Sequence, residues 1–333
     1  MSVDTRKAAR ETLIERVHVE LQRSLPTAID AFAAHLVAGK SAACAVLFYG
    51  STLRTGDLES LLDYYVIVDD LTAWHGQRIA AIANGWLPPN VSFETFDHEG
   101  RTLRAKVAVL SRDQFERGMQ TASIDTTLWA RFAQPIGLPW TRDEASKRRI
   151  ESIIADAIGT AAHWAALLGP EQAEPAAFWS ALFRHTYSAE LRVEGAAGRS
   201  KSIIEHERAR YEALLPLAWR SVGIDYTVRV GVRAGVRAGV RAGVHSDELS
   251  PRLSTQQREQ GQRAWNLRKR LGKPLNMARI LKASFTFHNG ADYIAWKVER
   301  HSGYKLELSD WQRRHPLLAA PLVLVKLKRA KVL

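Results

Sequence analysis

Val46-Leu47-Phe48-Tyr49-Gly50-Ser51-Thr52-Leu53-Arg54 is followed, after a short polar stretch, by Leu62-Asp63-Tyr64-Tyr65-Val66-Ile67-Val68-Asp69-Asp70-Leu71-Thr72-Ala73-Trp74-His75, and these two runs decide how the chain reads. One apolar strand ends in Gly50-Ser51; a second opens with Asp63 and closes on Asp69-Asp70. Each run has the length of a strand and is bounded by turn residues. Gly50 has no side chain, so its backbone can approach a phosphate chain closely. Ser51 offers a hydroxyl and a backbone N–H where the next segment begins, and such groups suit phosphate oxygens. Asp63, twelve residues after Ser51, supplies a hard oxygen ligand of the kind Mg²⁺ takes, and that ion neutralises phosphate charge during transfer.

This is the layout of a nucleotidyltransferase active site, with two departures. The usual pattern places a second carboxylate two residues after the first, on the same face of the strand; here that position is Tyr65. A third carboxylate normally sits on a later strand, and the best candidate, Leu103–Leu110, carries Lys106 instead. A Gly-Ser after a strand is also an ordinary turn, so the residues alone leave function open.

Further segments fall in a recognisable order. Arg104-Ala105-Lys106-Val107-Ala108-Val109-Leu110-Ser111, Ala130-Arg131-Phe132-Ala133-Gln134-Pro135-Ile136 and Tyr187-Ser188-Ala189-Glu190-Leu191-Arg192 follow the first two runs, and Lys201 comes nine residues after Arg192. Together with Tyr49-Gly50-Ser51, Asp63, Asp69-Asp70 and Trp74-His75, this series resembles the mitochondrial-type phosphatidate cytidylyltransferases, the translocator assembly and maintenance family. The resemblance covers about residues 45–215. The family has Asp where this chain has Glu190 and Lys where it has Gln134, and its Gly-Glu pair after Arg192 is missing. The resemblance implies that phosphatidic acid attacks the α-phosphorus of CTP, giving CDP-diacylglycerol and pyrophosphate. It implies Mg²⁺ on Asp63 with Asp69, and catalytic roles for Asp63, Lys106 and Glu190. It implies substrate contacts from Gly50, Ser51, Arg131, Tyr187, Arg192 and Lys201. Such a reaction needs positioning and charge neutralisation more than covalent chemistry.

Smaller points bear on the same region. Lys106 sits inside an apolar strand, where an unpaired ammonium would be costly; a phosphate, or a salt bridge to Asp63, would satisfy it. Asp69 shares the parity of Asp63 and Asp70 does not, and either could simply begin the turn before the next helix. Trp74-His75 reads as packing and capping sooner than as catalysis. Cys44, the single cysteine, rules out an internal disulfide and reads as a small core residue.

The formal charge is +12, distributed unevenly. Residues 251–333 hold 18 Lys/Arg against 5 Asp/Glu, while the preceding 250 hold 29 against 30. That asymmetry points to a polyanionic partner for the C-terminal region, anionic lipid or nucleic acid. Nucleic acid is disfavoured, since the resemblance points to lipid. No apolar run approaches the ~20 residues of a membrane span. The stretch Pro321–Val325 followed by Lys326, Lys328, Arg329 and Lys331 suits a helix lying in a membrane interface or one docked on the core. Residues 1–25 lack an apolar signal segment and carry acids unlike a transit peptide. The expected setting is therefore a bacterial cytoplasm, peripheral to the inner face of the cell membrane.

The expected fold is α/β. A nucleotidyltransferase-like mixed sheet with flanking helices occupies 1–142, and a mostly helical domain completing the cleft occupies 143–225. Helix is expected over 1–40 and Trp74–Ala83, and strand over Ala42–Tyr49, Asp63–Val68, Val91–Phe96, Thr102–Ser111 and Tyr304–Leu308. The repeat Gly-Val-Arg-Ala within 226–250 reads as a low-complexity linker or surface loop, because Gly at every fourth residue disfavours helix. A basic region with partial helix fills 251–333. Two rivals keep the fold: transfer to an RNA, protein or small-molecule acceptor, and a catalytically inactive binding protein.

Overall fold

The computed structural model describes residues 1–189, 204–237, 240–314 and 316–329. The chain divides into two compact units that alternate along the sequence. The first comprises Met1–Arg23, Asp113–Pro135 and Glu144–Asn276; the second comprises Ser24–Arg112, Ile136–Asp143 and Met277–Leu333.

The second unit holds the sheet. Its strands are β1 (Ala43–Tyr49), β2 (Leu62–Val68), β3 (Asn90–His98), β4 (Arg101–Ser111) and β5 (Gly137–Thr141), in the order β3-β4-β2-β1-β5. β2 and β4 run parallel; the other neighbours are antiparallel. This is the mixed sheet expected from the sequence. β5 carries Pro139 and lies at the edge, where a missing N–H is tolerated; its five residues gave no strand signal. One face of the sheet packs on α2 (Thr27–Val37) through Ile29, Phe32 and Ala33, which bury at helical spacing against Val46, Phe48, Leu62, Tyr64 and Val66. Each large side chain buried this way contributes about 1.5–3 kcal/mol. The Tyr64 hydroxyl donates to the carbonyl of Ile29 at 3.0 Å, so this buried phenol is satisfied, and burial pushes its pKa up.

Where one helix was expected over Trp74–Ala83, the chain forms α4 (Leu71–His75) and α5 (Arg78–Trp86). Gly76, at φ +65, ends the first, a left-handed conformation that glycine adopts without strain. Asp70 caps α4 by accepting from the N–H groups of Thr72 (2.6 Å) and Ala73 (3.1 Å), the turn-starting role the sequence allowed.

The first unit is helical. It contains α1 (Val3–Leu21), α6 (Arg112–Gly118, from Asp113 on), α7 (Thr127–Phe132), α8 (Glu144–Leu168), α9 (Pro175–Ala189) and α10 (Arg208–Ser221). α1 buries Ala9, Leu13, Val17 and Leu21 at four-residue spacing and packs on α8 and α10. Ion pairs Arg10–Asp156 (2.8 Å), His18–Glu151 (2.8 Å) and Arg210–Glu20 (2.9 Å) flank that seam. The Trp219 indole donates to Ala162 at 2.9 Å and the Trp179 indole to Tyr211 at 3.0 Å, which lets both rings bury fully.

Three C-terminal expectations change. The repeat region forms β6 (Tyr226–Arg237) and β7 (Val240–Pro251), an antiparallel pair, and not a loop. A four-residue period is a multiple of the strand's two, so it keeps Val and Ala at one parity, and valine favours strand. The basic segment becomes one long helix, α11 (Thr255–Thr286), which continues through Pro274; the division between units falls within it. Residues 304–308 are not a strand; among them Leu306 is buried in a connection from α12 (Gly290–Ser302) to α13 (Asp310–Arg314). The last helix, α14 (Pro316–Arg329), buries Ala319 and Leu327 while exposing Leu318, Leu322 and Val325.

Candidate active site

The residues that opened the sequence reading meet at one end of the sheet. Register aligns Tyr49 with Asp63, Asp63 with Lys106, and Lys106 with Phe93. Residues paired in this way share a face, on strands about 4.8 Å apart. Gly50 follows directly, at φ +127, a conformation that side-chain-bearing residues rarely adopt. A Cβ there would lie 3.5 Å from Asp63 Oδ2, an ordinary contact. The position therefore demands glycine for its backbone angle, not for space. Ser51 is exposed and starts the short helix α3 (Thr52–Thr55). Gly50, Ser51, Asp63 and Lys106 are thus brought together: a carboxylate, a cation and open backbone at one end of the interior strands.

Asp63 is half-buried and Lys106 is exposed. The burial argument for Lys106 is overturned: its ammonium reaches solvent and makes no ion pair among the described residues. It needs no phosphate to be tolerated, yet it stands directly across from Asp63.

Asp69 lies elsewhere. It follows the last residue of β2, six positions beyond Asp63. At ~3.3 Å per residue that is about 20 Å, so the two carboxylates cannot ligate one ion, and the expected Asp63–Asp69 metal pair is corrected on this ground. Asp69 is instead gripped by Arg112 at 2.8 Å and Arg142 at 2.7 Å. Burial alone would raise its pKa; the Cys44 thiol, Arg142 and Arg112 outweigh burial and hold it below the usual carboxylate range. Cys44 is buried, and burial with the nearby Asp69 carboxylate pushes its thiol up to about 12. It is no nucleophile. The sequence reading missed Arg112 and Arg142. Each is the first residue after a strand, but nothing in the sequence places β5 beside β1.

Mg²⁺ is commonly held by one or two carboxylates, with waters and substrate phosphates completing the shell. Asp63 fits that mode as a single carboxylate. Among the described residues no group of three or more His, Cys, Asp or Glu could cage a metal.

His75 pairs through Nε2 with the side-chain amides of Asn84 (3.0 Å) and Asn90 (3.4 Å). Burial, then Lys282 and Lys40, lower its pKa. It is a neutral packing group, as its sequence context suggested. Arg131 lies on α7 and Tyr187, buried, on α9, both in the first unit. Glu190, Arg192 and Lys201 lie outside the described residues.

No protein-family model matches this chain, and no curated protein matches it. Among solved structures, it is similar to a nucleotidyltransferase-like protein from Exiguobacterium sibiricum 255-15, with a TM-score of 0.26 and 10% identity over 67% of this chain and 98% of that one. A likeness at that level carries no weight for the reaction. No helix among the described residues is long and apolar enough to cross a membrane.

Proposed function

We propose that this chain is a nucleotidyltransferase that transfers the cytidylyl group of CTP to phosphatidic acid. The observation that carries the reading is the sheet end where Gly50, locked at a glycine-only angle, abuts Asp63, with Lys106 in register across the parallel pair. Asp63 would hold Mg²⁺ together with triphosphate oxygens, and the ion would supply charge neutralisation. Gly50, through its left-handed backbone angle, would present main-chain groups to the phosphate chain beside that carboxylate. Lys106, free to move in solvent, would offset charge on a phosphate oxygen. A phosphate monoester acceptor is already ionised at neutral pH, so a strong general base is not needed. That suits a site with Tyr65 where a second carboxylate is usual.

The test is to incubate the chain with each nucleoside triphosphate, Mg²⁺ and phosphatidic acid micelles, following pyrophosphate release. Release with CTP that depends on phosphatidic acid is expected. Release that ignores the lipid would sink the acceptor; release with another nucleotide in place of CTP would sink the base; no release at all would sink the reaction.

A further inference from the structure

Strand β4 carries a second cation on the face of Lys106. Arg104 lies two residues before it, so the two side chains leave the same side of the sheet, about 7 Å apart along the strand. Register sets Lys106 level with Asp63 on β2. Arg104 stands two residues nearer the sheet end at which Gly50 and Ser51 follow β1. Lys106 is exposed and Arg104 half-buried, and neither pairs with a carboxylate among the described residues. The Arg104 guanidinium donates from Nη1 to the carbonyl of Thr102 at 3.0 Å. That bond orients the group, and its remaining donors have no partner among the described residues. Arg112, of the same parity at the far end of β4, is engaged by contrast, at 2.8 Å from Asp69.

Strand order separates these cations from Gly50. β2 stands between β1 and β4. Gly50 and Ser51 therefore flank Asp63 from the β1 side, and Arg104 with Lys106 from the β4 side, one strand spacing of about 4.8 Å away. A group transfer needs two such places, one for the donor's phosphates and one for the acceptor, meeting where charge is neutralised. We infer that Arg104 and Lys106 hold the phosphate monoester of the acceptor. Charge selects that ligand. A monoester carries about −1.5 to −2 at neutral pH, which two unneutralised cations match, whereas a diester carries a single charge. Arg104 adds a planar fork that can take two oxygens of one phosphate. For its use in transfer, the inference rests on the reading above, in which the acceptor is such a monoester.

The experiment is calorimetric titration of the full chain with glycerol 3-phosphate, a monoester, and with glycerophosphocholine, a diester, both without nucleotide. The parent should bind the monoester at least tenfold more tightly than the diester. Arg104→Ala should weaken the monoester about tenfold and Arg104→Lys less, with unchanged melting temperatures. Arg104→Ala should bind CTP with Mg²⁺ as the parent does, because the donor's phosphates lie on the other side of Asp63. A parent that ignores the monoester, equal binding of monoester and diester, or parental monoester binding by Arg104→Ala would overturn the inference. So would an equal loss of CTP and monoester, which would give Arg104 to the donor. Monoester binding is read without turnover, so it decides the inference even where no pyrophosphate is released and the reaction itself fails.

Discussion

The two ends of β2 carry the same chemical group in different settings. Asp63 and Asp69 are both aspartates, of the same strand parity, six residues apart. At one end Asp63 stands beside a glycine-only backbone and across from an exposed lysine. At the other, Asp69 is filled on both sides by Arg112 and Arg142, with the Cys44 thiol beside it. Parity and residue type are identical, so neither decides what a carboxylate does. The neighbours do: Arg112 after β4 and Arg142 after β5 turn one aspartate into a fastener for three strand ends, while the other stands beside Gly50 and Lys106, where we propose the phosphate chemistry.

That contrast breaks first if Asp63 proves dispensable. Asp63→Asn should abolish turnover, a loss on the order of several kcal/mol of transition-state stabilisation, while the melting temperature stays close to that of the parent. A variant that melts normally and keeps more than a tenth of the parental rate would remove Asp63 from the site. Lys106→Ala should act more mildly. A charge-assisted contact is worth roughly 1.5–3 kcal/mol, and its exposure places Lys106 at the low end of that range, so about a tenfold rise in KM for CTP or lipid is expected. Unchanged kcat and KM for both substrates would show that the lysine is only a solvated surface charge.

Asp69→Asn sharpens the contrast from the other side. Here the expected loss is in stability, with turnover per folded molecule unchanged. The ion pairs are partly exposed, which screens them, so about 1–2 kcal/mol is expected as a lowered urea midpoint at neutral pH. A large fall in kcat with no change in midpoint would put Asp69 back among the active residues.

The strands of the central sheet were legible because their apolar runs are long and bounded by turn residues. Gly50, Ser51 and Asp63 were legible because a strand end followed by a spaced aspartate is a local pattern. What was lost depends on contacts distant in sequence. β5 is short, contains Pro139 and is a strand only because β1 lies beside it. The grip on Asp69 requires Arg142, seventy-three positions away. Lys106 read as buried because its strand is apolar, yet the sheet leaves that position exposed. The Gly-Val-Arg-Ala repeat hid its strands because glycine weakened the local signal, although its period suits one.

The gentlest probe of the two ends is acid. In the folded chain the thiol and both arginines hold the Asp69 carboxyl below its ordinary range against the opposing effect of burial. The folded state therefore keeps this carboxylate ionised at pH values where the unfolded chain has begun to take up a proton. Its contribution to stability is complete above the unfolded pKa of about 3.9 and is lost as pH falls through the lower folded value. Between about pH 5 and pH 3 the parent should lose more stability than Asp69→Asn, which has no carboxyl to protonate at that position. Urea midpoints measured for both proteins across this range give the comparison. Curves that stay parallel would mean that Asp69 is no better paired in the folded chain than in the unfolded one. The two ends of β2 would then differ only in their neighbours' identity, not in what those neighbours do.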